Sequence, residues 1–395
     1  MLIINKCKKQ IAPILAAFSL SIGAGCGNDL DNQSKPKNHN LNQHSITTRV
    51  NYNFIEKLND LKSLDETIKF VYEEQSKRIK SNSPGFNNTE VNIITEKMNS
   101  LVFPFLKCRR IEFLSQPKDL SLKSINEILL PLNHLYLFGT FESPNGGKYI
   151  DVELFSLRYG DSFTFGPINI GGNPLVGPNS KFPIYEIRDQ YLPHSVLGLD
   201  KLGNFTPQEI ATTDLILIRP ENIEKYSKQI GLPSNIIKEA AIYNELGHYF
   251  YSHLVPKSDE KIIMHITDPA SGQKITFTPN QVDELFSCLF ELKYSKIPID
   301  IFIDSTMNAD NEGYRLTQQL IANLIQQEIL TGCLKSLIDL KNPEISAQEI
   351  LSLLKSNPNE ARVFRNNLVD ELEELSAYLI SELRQSLGIP LNQKS

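Results

Sequence analysis

The stretch Ala240-Ala241-Ile242-Tyr243-Asn244-Glu245-Leu246-Gly247-His248-Tyr249-Phe250 constrains the fold more than any other in the chain. It reads as a helix, and on a helix residues four apart are separated by about 40° at ~100° per residue, so Asn244 and His248 present their side chains from one face. A second stretch, Val282-Asp283-Glu284-Leu285-Phe286-Ser287-Cys288-Leu289-Phe290-Glu291, is amphipathic and starts just after Thr278-Pro279-Asn280, a helix-start signal. Taken alone, Asn-Glu-x-x-His occurs by chance in many helices, and a histidine beside aromatics is ordinarily a satisfied, partly buried side chain.

The pentad Asn244-Glu245-Leu246-Gly247-His248 resembles the His-Glu-x-x-His signature of the zincin metallopeptidases in every letter but the first. In that signature two imidazoles hold zinc and the intervening Glu is general base toward the metal-bound water. The resemblance implies Glu245 as the base and His248 as a ligand, with Asn244 as a weak or outer-shell replacement for the first ligand, because an amide oxygen is a poor zinc donor. In the gluzincin branch the third ligand is a Glu on a downstream helix, which points to Glu284, with Asp283 and Glu291 as weaker substitutes. The branch often carries an Asp one turn later to orient a ligating His, and here that position is Cys288. The cofactor implied is zinc, and the reaction is hydrolysis of a peptide bond in a peptide or protein substrate. The lost ligand equally suits a catalytically inactive zincin-like surface lipoprotein that serves as a binding module.

The N-terminus combines Lys6, Lys8 and Lys9 with an apolar run from Ile11 to Ile22 and then Gly23-Ala24-Gly25 before Cys26. The run is too short to span a bilayer and reads as a secretory signal. The small residues before Cys26 resemble the bacterial lipobox, with Gly23 where Leu is usual. That resemblance implies a lipid on Cys26 and an exported protein anchored to a membrane of the bacterial cell envelope. Residues 27–50 are polar and read as a disordered tether, with His39 and His44 solvated. Once Cys7 leaves with the signal, Cys108, Cys288 and Cys333 remain, too few and too scattered for a disulfide framework or a Cys-x-x-Cys metal site. Net charge is −6 and no basic stripe carries interleaved aromatics, so nothing suggests nucleic acid as a partner.

The folded part divides into a helical leader (51–130), an α+β segment (131–295) holding the zincin-like domain, and a helical C-terminal lobe (296–395). The expected class is α+β with a small, mostly antiparallel sheet. Apolar periodicity predicts one or two helices over 53–80, a helix from Thr89 to about Leu101, and another over Ile125–Leu130. Leu135–Phe138 and Tyr149–Phe155 flank Asn145-Gly146, a hairpin signal. Further strands are expected at 163–165, 183–187 and 213–219, and a hairpin at 261–277. The Gly-rich loop 171–178 lacks a phosphate-loop pattern. The lobe is expected to contain helices over 311–335, 346–355 and 360–387, with a capping box at Ser346-Ala347-Gln348-Glu349.

Overall fold

Polar caps start the helices of the leader. Asn51 and Ser63 each accept a hydrogen bond from a first-turn backbone N–H, opening α1 (Tyr52–Asp60) and α2 (Leu64–Lys80). Asn87 and Glu90 form a capping box that opens α3 (Asn88–Cys108), and Ser121 caps α4 (Leu122–Leu129). The structure is a computed structural model that describes residues 50–143, 145–165, 168–170, 173–176, 180–191, 215–255, 263–267, 274–309, 311–338 and 346–389. The signal segment, Cys26, the tether up to residue 49, and residues 171–172 and 177–178 of the Gly-rich loop lie outside the described residues.

The α3 helix runs past the expected end near Leu101 and through Pro104. An interior proline costs about 3 kcal/mol. Val102, Phe103, Phe105 and Leu106 are all buried around it, and at roughly 1.5–3 kcal/mol each their burial outweighs the break.

The protein is a mixed α/β structure with eleven α-helices among the described residues and one small four-stranded sheet. Strands β1 (His134–Glu142) and β2 (Lys148–Phe165) form an antiparallel hairpin, with Glu142 opposite Lys148 and His134 opposite Ser156. Gly146 and Gly147 take φ of +85° and +76° in its turn, which suits glycine. Short strands β3 (Ile168–Ile170) and β4 (Asn173–Val176) pair with each other. β2 then pairs antiparallel with β5 (Ser180–Gln190), and β5 pairs parallel with β6 (Ile216–Ile218). The strands expected at 163–165 and 183–187 are the end of β2 and the middle of β5. β2 carries irregularities between Ser156 and Leu157 and between Tyr159 and Asp161, which let one long strand serve both neighbours.

Because β5 meets β2 only from Phe155 onward, no strand among the described residues pairs with Ile150 and Val152 on that side, and α2 supplies the partners instead. The Gln75 amide donates to Ile150 O (3.1 Å) and accepts from Ile150 N, while Tyr72 OH accepts from Val152 N (3.1 Å). On edge strand β1, the Asn126 amide of α4 donates to Tyr136 O (2.7 Å) and accepts from Tyr136 N (2.9 Å). Two side-chain amides thus copy a ladder pair where no strand is present among the described residues. One hydrophobic core runs from Phe54, Ile68 and Phe86 through Met98 and Ile125 to Tyr136, Ile150 and Leu154, so the leader and the β1–β2 hairpin share an interior.

Beyond the sheet come α5 (Pro220–Ile230), α6 (Ser234–Leu254), α7 (Pro279–Tyr294), α8 (Ile299–Met307), α9 (Arg315–Leu330), α10 (Ala347–Ser356) and α11 (Pro358–Ser386). The capping box at Ser346 and Glu349 is present. The expected strand over 213–219 is shorter, and α5 stands between it and the central helix. Strands β7 (Met264–Thr267) and β8 (Lys274–Phe277) hydrogen-bond as a two-stranded sheet, and the described residues of 265–276 belong to a different compact unit from the rest of the described chain. No described helix is long and apolar enough to cross a membrane.

Replacing Gln75 or Asn126 with Ala strands a buried backbone N–H and C=O, so each change is expected to cost about 1–3 kcal/mol. Urea unfolding should show a lower midpoint with an unchanged slope; an unchanged midpoint would mean that water or a shifted strand satisfies these edges.

Candidate functional site

Helices α6 and α7 carry every residue that the pentad and its downstream partner single out. α7 begins with a capping box in which Thr278 Oγ1 accepts from Gln281 N and the Gln281 side chain accepts from Thr278 N (2.9 Å). The two helices cross at Gly247, where a Cβ would lie 2.5 Å from Ser287 Cα and 3.2 Å from Phe290 Cβ. Only a glycine lets the backbones approach this closely. Leu246 and Phe250 of α6 and Leu285, Phe286, Leu289 and Phe290 of α7 are buried, with the Phe286 and Phe290 rings 5.0 Å apart.

That crossing brings Glu245, His248 and Glu284 together. His248 is 8% exposed; its Nδ1 lies 2.9 Å from Asp283 Oδ1, and its Nε2 lies 3.8 Å from Glu284 Oε2. Glu245 Oε2 is buried with no hydrogen-bond partner. Asn244, one turn back along α6, is directed elsewhere: its amide nitrogen is 3.2 Å from Glu291 Oε2 and 3.4 Å from Ser287 Oγ. The Tyr314 side chain, from a short 3-10 turn before α9, comes up against Glu284 and pulls its carboxyl down. Gly313 leaves room for that contact, since a Cβ there would lie 2.7 Å from Glu284 Cγ.

The electrostatics follow from three carboxyl groups, Asp283, Glu284 and Glu245, around one imidazole, with Glu291 held against Asn244. Burial pushes Glu245 up to about 7, with His248 pulling it down and Glu284 and Asp283 pushing it up. Burial likewise raises Glu284, and it raises Glu291 to about 7 against the lowering pull of Asn244 and Arg365. Burial opposes charging His248, but the charge and hydrogen bond of Asp283, with Glu284 and Glu245, outweigh it and carry the imidazole up to about 10. At neutral pH His248 is therefore an imidazolium, with Asp283 on its Nδ1 and Glu284 facing its Nε2.

Zinc in a zincin site needs three protein ligands. His248 Nε2 and Glu284 face each other at a spacing suited to a shared cation, and Asp283 holds His248 Nδ1 as carboxylates hold ligating histidines. The Asn244 amide nitrogen is committed to Glu291 and Ser287, and among the described residues no group of three or more His, Cys, Asp or Glu side chains is arranged to hold a metal ion. The donor set stops at two.

Sequence reasoning ranked Asp283 and Glu291 as weak ligand substitutes and missed the contacts they make. The signal was present in the spacing: Glu291 is seven residues beyond Glu284, hence on the same helical face, and Asp283 directly precedes Glu284. Cys288 is buried in the α7 core. His253 is exposed and turns back to Tyr249 O (2.8 Å), and His265 pairs with Thr276 Oγ1 within the β7–β8 hairpin. Compared with known proteins, the chain matches no family model, no curated protein and no solved structure.

Gly247→Ala would gain about 1 kcal/mol of helix propensity. Overpacking against Ser287 Cα costs about 1–3 kcal/mol, so the expected net result is a less stable protein. A higher midpoint in urea unfolding would show that the two helices are not in close contact there. The pH dependence has a definite sign. Glu291 binds its proton more tightly folded than unfolded, so the stability it contributes is full below about 4.5 and is lost as pH rises toward about 7. Wild type should therefore lose more stability between pH 5 and 7.5 than Glu291→Gln does; parallel profiles would remove Glu291 from the titrating set.

Proposed function

We propose that the chain is an exported, lipid-anchored protein that keeps a zincin-like helix pair but has given up the catalytic zinc, and that it acts as a binding module for a peptide or protein partner. The observation that carries this reading is Asn244, whose amide nitrogen serves Glu291 and Ser287 instead of turning toward His248 and Glu284. The likeness of the pentad to His-Glu-x-x-His supports descent from a metal helix, and the meeting of Glu245, His248 and Glu284 supports it further, because a chance pentad has no reason to face a downstream Glu. The signal pattern before Cys26 supports export and lipid anchoring.

One observation favours a second reading, in which peptide-bond hydrolysis is retained with Glu245 as general base and His248, Glu284 and Asn244 as zinc ligands. Glu245 Oε2 is buried and unpartnered, as a carboxylate awaiting a reactant would be.

Zinc content of the purified chain separates the two. Wild type is expected to carry none, and Asn244→His about one zinc per chain, lost again in Asn244→His/His248→Ala. One zinc on wild type, with peptide hydrolysis abolished by Glu245→Ala, would replace the first reading by the second.

A further inference from the structure

The loop between α3 and α4 holds one leucine entirely outside the protein. Leu114 is 108% exposed, and Leu120 six residues on is 43% exposed. The display is built by the neighbouring residues. Phe113 turns inward and packs edge-on against Phe103, with ring centroids 4.8 Å apart, and Ile111 also packs against the leader core. Arg110 takes φ +62°, while Ile111 N bonds Leu106 O (3.0 Å) and Asn99 Nδ2 bonds Leu120 O (2.6 Å), so both ends of the loop are fixed. Between anchored ends, the alternation of Phe113 in and Leu114 out sets the leucine at the tip.

The surroundings of that leucine are cationic. Residues 107–123 carry five basic side chains, Lys107, Arg109, Arg110, Lys118 and Lys123, against Glu112 and Asp119, a net +3 in a chain whose total is −6. Arg109 lies over the rings of Phe105 (4.6 Å) and Tyr191 (5.2 Å), which fixes one charge in place. Lys107, Arg110, Lys118 and Lys123 are exposed, and no ion pair is seen for them among the described residues.

A protein partner suits this surface poorly. A stable protein interface buries about 800 Å² on each side around a packed apolar centre, whereas here one leucine projects from a charged rim. A bilayer interface needs no matching pocket: an apolar side chain enters the headgroup boundary while basic residues stay with anionic headgroups. We propose that this loop is a membrane-docking element, with Leu114 inserting into an anionic lipid surface and Lys107, Arg110, Lys118 and Lys123 contacting headgroups. The inference is independent of the zinc reading. It also concerns a surface of the folded body, distinct from any lipid on Cys26.

The chain contains no tryptophan, so a single introduced indole reports on its own position. In the full chain, Leu114→Trp is expected to shift its emission to shorter wavelength with phosphatidylglycerol vesicles and not with phosphatidylcholine vesicles. Val363→Trp, at an exposed position of α11, should not shift with either. Adding Arg110→Glu and Lys118→Glu should raise the vesicle concentration at half-maximal shift about thirtyfold or more, at roughly fivefold per basic residue. Co-sedimentation in the same samples reports the lipid anchor separately. If the Leu114→Trp chain co-sediments while its indole emission stays fixed, the anchor is kept and the docking loop is overturned. Equal shifts at positions 114 and 363, or no dependence on lipid charge, would overturn it as well.

Discussion

The candidate site depends on the contact between Gly247 and Ser287. Where α6 crosses α7 the side chain is a hydrogen, and a methyl group would lie 2.5 Å from the opposing Cα. With the helices this close, side chains on either side of the crossing reach across in pairs. His248 faces Asp283 and Glu284, and Asn244 faces Ser287 and Glu291. Side-chain reach is short, so widening the gap by one methyl group would uncouple these pairs while leaving both helices intact. The Gly at the fourth position of the pentad is thus as necessary to the arrangement as the polar residues around it.

The same economy appears in the sheet. A four-stranded sheet exposes two edges, and β2 is too long to be covered along its whole length by β5. Gln75 and Asn126, each with a donor and an acceptor on one planar amide, close the gaps at Ile150 and Tyr136 as a strand residue would. The leader is thereby tied to the sheet by directional bonds as well as by a common apolar core. Arg365 does comparable work on α7, donating to the carbonyls of Leu292, Ser295 and Ile297 just where that helix ends, so α11 fixes the end of the helix that carries Glu284.

Much of this was legible in the sequence where a local rule governs. The caps at Thr278 and Ser346, the Asn145-Gly146 turn and the helical face shared by Asn244 and His248 all follow from short-range geometry. Helix α5 is hard to read from the sequence although Pro220 at its first position and Gly231 at φ +73° beyond its end are ordinary boundary signals, because it buries little apolar surface and so carries few apolar residues to mark a period. Helix α8 was missed because Pro298 and a short apolar segment look alike whether buried as helix or strand. The run of α3 through Pro104 depends on which neighbours are buried, which only the assembled core determines. The roles of Asp283 and Glu291 likewise depend on the helix crossing, a tertiary fact that spacing along one helix does not contain.

Three carboxyl groups around a single imidazole, with Glu291 close by on Asn244, form a site rich in acidic groups, and burial demands that its charge be neutralised. A divalent cation would do this, and so does protonation, which is the direction in which Glu245, Glu284, Glu291 and His248 are all displaced. The arrangement also preserves what a ligating histidine would need at position 244. Glu291 lies 3.2 Å from the side-chain nitrogen there, in the role of an orienting carboxylate, just as Asp283 stands behind His248. On the proposed reading, the position where the resemblance would place an orienting Asp is the buried Cys288, and Glu291, three residues further along the same helix, would take that role. Asn244 keeps that carboxylate hydrogen-bonded at no cost in charge, whereas a residue with no donor would leave it unpaired. On the proposed reading, Asn244 would remove a ligand while satisfying its supporting partner, so that a metal site could be given up without loss of the fold.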